Sequence, residues 1–266
     1  MKVLNSQEIR NIQLEILQSI HQFCEDNNIR YSLAYGTLLG AIRHKGYIPW
    51  DDDVDIMMPR PDYERFIKEF TGHIDKYTVQ TYDNDDSYYL WCAKVFDNRT
   101  EQITFPTKSG VCVDVFPIDG LPGTLDKVRD YIQTKRTLFF RRLIFTCKNN
   151  SYRPGNKLVN SIKYLIKRIL VPSRSAVIKK IEQLYKSYPY ETSNYVGDII
   201  DLFGERGWLK KEIFEHYTTA TFENLRVRII KDYDVFLKAR YGDYMQLPPE
   251  EERVPGHSAP VYWKED

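Results

Sequence analysis

Residues 31–58 decide the fold. They read Tyr31-Ser-Leu-Ala-Tyr-Gly-Thr-Leu-Leu-Gly-Ala-Ile-Arg-His-Lys-Gly-Tyr-Ile-Pro-Trp-Asp-Asp-Asp-Val-Asp-Ile-Met-Met58. Four aspartates, Asp51, Asp52, Asp53 and Asp55, fall within five positions, between Pro49-Trp50 and the apolar run Ile56-Met57-Met58. A strand over 54–58 places Asp53 and Asp55 on one face and sends Val54 and Ile56 into a core, because side chains alternate along a strand. Two unpaired carboxylates on one face repel each other. A hard divalent cation removes that cost, and Mg²⁺ is typically held by one or two carboxylates together with substrate phosphates. Upstream, 31–35 reads as a strand ending in Gly36-Thr37, and 38–43 as a short helix. A Gly-Thr turn at a helix N-terminus offers backbone N–H groups to an anion. An Asp-rich segment alone would read as a solvated turn. The order strand, Gly-Thr, helix, loop, Asp-x-Asp argues instead for a phosphate cradle beside a metal pair.

The run from Gly36 to Ile56 resembles the signature of the LicD family of phosphocholine transferases. It is also similar to the human fukutin-related ribitol-phosphate transferases. The resemblance is strongest at 31–63, clear at 111–120 and weaker at 217–257. It implies an α+β (mixed α/β) fold of nucleotidyltransferase type: a small mixed β-sheet flanked by helices, here with a basic helical insertion. It also implies transfer of a phospho-alcohol from a cytidine diphosphate donor to a glycan hydroxyl.

The chain has 266 residues, enough for one large domain or two small ones, and 42% are apolar, so a sizeable core is available. The expected division is a catalytic core over 1–123, a basic helical region over 124–190, and C-terminal strands, helix and tail over 191–266 returning to the core. Cys24, Cys92, Cys112 and Cys147 are scattered, with no Cys-x-x-Cys pair, so neither a zinc site nor a redox motif is indicated. Reduced, mostly buried cysteines fit a cytoplasmic chain. Met1 to Gln7 is polar and lacks the apolar centre of a signal peptide, and no window approaches the ~20 apolar residues of a spanning helix. The net charge of +1 hides an asymmetry: 127–186 holds 16 Lys and Arg against Asp130 and Glu182, a balance of +14, leaving −13 elsewhere. Residues 157–171 form a basic amphipathic helix that could rest on an anionic membrane, or could pack on the core with its Lys and Arg in water. No nucleic-acid reading motif accompanies the charge.

Along the chain, Asn5 and Glu8 resemble a capping box for a helix over 6–27, whose Ile9, Ile12, Ile16, Ile20 and Phe23 share a face. His21 on that helix reads as a surface residue. Pro61 suits the first turn of a helix over 62–70. Strands are expected at 77–82 and 88–96; Trp91 and Lys94 in the latter either face a ligand or pack half-buried on the sheet. Residues 111–116 form a β-branched run holding Asp114, and an ionised Asp mid-strand is costly unless paired or bound to a metal. The family resemblance places Asp114 beside Asp53 and Asp55 as a third carboxylate. Asp119, before Gly120, reads as a turn former. Helices over 125–147 and 157–171, a strand over 195–200, a hairpin of 217–222 with 225–230, and a helix over 232–241 follow. The Pro-rich tail with Arg253 and His257 is expected, from the resemblance, to fold back toward the site.

The chemistry expected is attack by a sugar hydroxyl on the distal phosphorus of a CDP-alcohol, CDP-choline favoured, releasing CMP. Phosphoryl transfer needs charge neutralisation and alignment more than covalent help. Asp53, Asp55 and Asp114 would be the catalytic and metal-binding set for Mg²⁺ or Mn²⁺, with Asp51 adding to the metal field. Asp114 would either help hold a second ion or act as general base. Gly36 and Thr37 would face the phosphates. Arg43 and His44 would support them, with Arg253 and His257 for phosphate or acceptor. Trp50 would stack on the base or a choline ammonium, or pack a hinge. The acceptor would be a cell-surface glycan or lipid-linked saccharide of teichoic acid, lipopolysaccharide or capsule type, approached from the inner face of the membrane. Competing readings are nucleotidyl transfer with pyrophosphate release, a metal-dependent glycosyltransferase, and a non-catalytic nucleotide or glycan binder.

Overall fold

The computed structural model describes residues 2–85, 88, 90–104, 107–146, 169, 173–198, 204–254 and 260–264. Helix α1 (Ser6–Asp26) begins with the reciprocal cap: the Asn5 side chain accepts the Glu8 N–H at 2.9 Å, and the Glu8 carboxylate accepts the Asn5 N–H at 2.8 Å. Its Ile12, Ile16, Leu17, Ile20 and Phe23 are buried. Strand β1 (Ser32–Leu33) is shorter than expected, because helix α2 (Tyr35–Arg43) starts before Gly36, with Tyr35 at φ 43°. Gly36 and Thr37 therefore lie in the first turn of α2. Strand β2 (Asp55–Pro59) runs straight into helix α3 (Arg60–Phe70), which takes Pro61 in its first turn.

Strands β3 (Tyr77–Gln80), β4 (Ala93–Asp97), β5 (Thr100–Thr104), β6 (Thr107–Ser109) and β7 (Cys112–Leu121) follow. Helices α4 (Leu125–Thr146) and α5 (Arg174–Lys186), strands β8 (Tyr195–Gly197) and β9 (Leu209–Lys210), the hairpin β10 (Tyr217–Phe222) and β11 (Leu225–Ile230), helix α6 (Tyr233–Tyr241) and strand β12 (Val261–Trp263) complete the described elements. The main sheet has the order β1-β2-β7-β4-β3. It is mixed: β2 lies parallel to β7, whereas β1 and β4 are antiparallel to their neighbours. Strand β7 is ten residues long and changes partner along its length, pairing β2 and β4 through its first part and β8 through Asp119–Leu121. Its Val113 and Val115, with Val54, Ile56 and Met58, are fully buried in the core that α1 covers.

Two expectations are corrected. Asp119 forms no turn: it lies inside β7, 3% exposed, and accepts a 2.6 Å bond from Arg60 Nε. Trp91 lies outside the strand expected at 88–96, which begins only at Ala93. It is buried in a separate cluster with Tyr82, Tyr88, Leu138, Val177 and Ile181, so the packing reading holds for it. The segment 157–171, apart from Ile169, and His257 and Cys147 fall outside the described residues. Among the described residues no helix is long and apolar enough to cross a membrane.

Candidate active site

Strand register assembles the site. Asp55 on β2 is the direct partner of Asp114 on β7, Asp114 is the partner of Lys94 on β4, and Lys94 of Gln80 on β3. Side chains directly opposite one another in neighbouring strands point to the same face, so one rung across the sheet carries carboxylate, carboxylate, ammonium and amide. Lys94 Nζ lies 2.5 Å and 2.6 Å from the two oxygens of Asp114. Burial, then Asp53 and Asp114, raise the Asp55 carboxyl well above the usual carboxylate range; Lys94 opposes them and Asp51 adds to them. Burial works against the Lys94 ammonium, but Asp114, with Cys112 and Cys92, holds its pKa well above the lysine range.

The aspartate loop before β2 is gripped from α1. Arg10 Nη2 donates to the Asp51 carbonyl at 3.0 Å, and Gln13 Nε2 to the Asp52 carbonyl at 2.9 Å. Tyr47 Oη donates to Gln13 Oε1 at 2.9 Å, and the Arg10 guanidinium lies over the Tyr47 ring. From the other side, the Glu223 carboxylate at the hairpin tip accepts the Tyr47 N–H at 3.0 Å. The start of α2 is locked to the same loop. A Cβ on Gly36 would stand 2.3 Å from Asp51 Oδ2, so glycine is what lets that carboxylate approach the helix. Thr37 is 2% exposed, and its hydroxyl oxygen accepts the Asp55 N–H at 2.8 Å. Thr37 thus ties helix to strand.

A cavity of about 440 Å³ opens beside this helix start. Gly36, Arg43 and Trp50 line it together with Tyr241, Asp243, Tyr244 and Glu252, so the segment after α6 closes over the site. Arg43 Nη1 holds that segment, donating to the carbonyls of Tyr244 at 2.7 Å and Gln246 at 3.2 Å. Burial and nearby Arg253 lower the Arg43 pKa. His44 caps α2 and stands edge-on to Trp50, with ring centroids 6.2 Å apart; burial and Arg43 lower its pKa. The Arg253 guanidinium lies 5.5 Å from the centre of the Trp50 ring. The guanidinium of Arg253 and the His44 ring therefore flank Trp50, and Arg43 lines the cavity beside it.

The structure thus brings Gly36, Thr37, Arg43, His44, Trp50, Asp51, Asp53, Asp55, Asp114 and Arg253 into one neighbourhood. The grip of Arg10 and Gln13 and the cavity wall from Tyr241, Asp243 and Glu252 have no signal in sequence spacing. The donor set, the carboxylates of Asp53, Asp55 and Asp114 around the start of β2, suits a hard divalent cation in its chemistry. As they stand, no three His, Cys, Asp or Glu side chains among the described residues converge into a ready ligand set.

A family model described as LicD/FKTN/FKRP, nucleotidyltransferase domain, matches residues 28–154. Over 268 aligned positions the chain is 34% identical to the lipopolysaccharide cholinephosphotransferase LicD of Haemophilus influenzae, covering 98% of this chain and 99% of that protein. Shorter matches join it to uncharacterized proteins of Rickettsia typhi, 44% identical over 52 residues, and Rickettsia prowazekii, 46% over 48 residues. These cover 20% and 18% of this chain, and 17% and 18% of the respective relatives. With the mixed sheet, the paired rung and a relative aligned from end to end, the chain belongs to the LicD/FKTN/FKRP nucleotidyltransferase-domain family.

Proposed function

We propose that the protein transfers phosphocholine from CDP-choline to a hydroxyl of a lipopolysaccharide-type glycan, releasing CMP, with Mg²⁺ or Mn²⁺ as cofactor. The observation that carries this reading is the end-to-end likeness to a lipopolysaccharide cholinephosphotransferase. The rung of Asp55 and Asp114 beside the first turn of α2 supports the chemistry. Asp53 and Asp55, with Asp51 and Asp114 near them, are the residues that would hold the cation. When bound, it supplies charge neutralisation at the diphosphate. The first turn of α2 directs backbone N–H groups toward a phosphate. Arg43 at the cavity wall and Arg253 over Trp50 supply positive charge, and His44 beside them supplies a neutral imidazole. Trp50, Tyr241 and Tyr244, with Asp243 and Glu252, give the cavity the aromatic and acidic wall that a quaternary ammonium prefers. In the reaction the acceptor oxygen forms a bond to the distal phosphorus, the bond from that phosphorus to the CMP oxygen breaks, and the acceptor proton passes to a carboxylate of the cluster.

The test is incubation of the protein with choline-labelled CDP-choline, Mg²⁺ and lipopolysaccharide acceptor. The expected result is CMP in solution and label on the glycan, with Asp53→Ala lowering turnover at least about 100-fold in a protein that still folds. Nucleotide on the acceptor with pyrophosphate released would overturn the reading in favour of nucleotidyl transfer. Label transfer unaffected by Asp53→Ala would remove the carboxylates from the chemistry.

A further inference from the structure

We infer that Lys94 is the resident counter-cation of Asp114 and occupies the place a second metal ion would take, so that the centre holds one divalent ion, on the Asp53 and Asp55 side. The inference rests on the metal-dependent reading above and adds to it the number of ions and a positioning residue.

The order of the rung carries the argument. Asp114 has Asp55 on one side and Lys94 on the other, because β7 lies between β2 and β4. Asp55 and Asp114 stand side by side on that rung, where one cation would meet both carboxylates. The opposite side of Asp114 is already taken by the ammonium, which bonds both carboxylate oxygens, at 2.5 Å and 2.6 Å. A second ion in the usual two-metal arrangement, ~3.5–4 Å from the first, draws on the same carboxylate. To admit it, Lys94 must let go while remaining next to a dication.

Its surroundings oppose that movement. The Lys94 side chain is 20% exposed and the Asp114 side chain 17%, and Cys112 Sγ lies 3.7 Å from both Nζ and Asp114 Oδ1. Removing one partner of such a part-buried pair leaves the other charge uncompensated. The next position of the rung is Gln80, an amide, and its Nε2 donates to Asp85 Oδ2, so the rung itself offers no further carboxylate to a metal. An ammonium held on both oxygens of Asp114 in a part-buried site is therefore a monovalent substitute for a second metal. It holds Asp114 in one orientation.

The experiment counts ions. Mn²⁺ is titrated into the full chain in the presence of CDP-choline, with bound metal measured by equilibrium dialysis and by electron paramagnetic resonance. One Mn²⁺ per chain, with no Mn–Mn coupling in the spectrum, is expected. Two coupled ions on the unaltered protein overturn the inference and leave the transfer reaction standing. No bound ion retires the metal-dependent reading together with it. In Lys94→Met, the freed Asp114 is expected to admit a second Mn²⁺, and CMP release to fall at least about 50-fold, with Lys94→Arg recovering part of the rate. A Lys94→Met protein that binds one ion and turns over within about threefold of the unaltered protein overturns the inference. If Lys94→Met does not fold, the ion count on the unaltered chain decides.

Discussion

Asp55 is placed where a carboxylate is least comfortable, 8% exposed and facing like charges, a cost that the divalent cation proposed above would relieve. Asp55→Asn keeps the shape and removes the repulsion. In chelator-treated protein we expect it to raise the melting temperature by about 2–4 °C, as site residues held for function often do when neutralised. CMP release should fall at least about 100-fold in the same protein. Calorimetry and the release assay check both, and a lowered melting temperature would show that Asp55 makes net favourable contacts in the free protein. Much at this scale was legible. Asp53, Asp55 and Gly36 stand close in sequence, so the alternation of a strand and the start of a helix were enough to propose them. Lys94 was legible as a strand residue that either faces a ligand or packs on the sheet, but its ion pair with Asp114, 20 positions away, was not. Arg10 and Gln13 were not legible: each bonds a backbone carbonyl about 40 positions on, and such a contact leaves no pattern in residue type or spacing.

Strand β7 shows why an element can be read correctly and its residues misread. Its β-branched first half announced the strand, but Asp119-Gly120 suggested a turn that does not exist. Each residue has another reason to be there. Gly120 is small because a Cβ would meet the Tyr188 carbonyl at 2.1 Å, where the following chain crosses. Asp119 is acidic because Arg60, its side chain 14% exposed, is buried beside it and stacked against Tyr185 and Tyr63. Burial works against the Arg60 charge, and Asp119 more than compensates. Asp119→Asn removes that compensation from a guanidinium whose Nη2 has no hydrogen-bond partner among the described residues. The expected loss is about 3–5 kcal/mol in urea unfolding. A loss under about 1 kcal/mol, the range of surface pairs, would mean that water reaches Arg60. The hairpin of β10 and β11 was fully legible because its register is local, whereas the shortening of β1 followed from the early turn at Tyr35.

Across the chain, α1, the residue before β1 and the hairpin meet in one polar contact. Tyr31 Oη and His21 Nδ1 are 2.7 Å apart, and Tyr31 Oη also accepts the Arg228 N–H at 3.2 Å. Burial lowers the His21 pKa; Glu25 opposes this and Arg228 adds to it. The unfolded chain therefore binds a proton at His21 more readily than the folded one. The associated stability is complete above the usual histidine range and is lost as pH falls below that range toward the lowered folded value. Protonated His21 can no longer accept the Tyr31 hydroxyl proton. His21→Gln, which keeps an acceptor and cannot titrate, should flatten that part of a stability-versus-pH curve measured by denaturant unfolding; an unchanged slope would assign it to other groups. The charge asymmetry was legible as a number, and the mixed sheet flanked by helices was expected through the family resemblance. The placement of the C-terminal segment over the cavity was expected only through the family resemblance.

Arg43 holds that segment by main-chain oxygens at 244 and 246. A clasp that recognises carbonyls is indifferent to the side chains attached to them, so Met245, 55% exposed, and Gln246 are open to replacement while the clasp persists. Related chains could vary those two positions to suit different acceptors, and drift would be uneven: tolerated at 245 and 246, forbidden at the arginine beneath them.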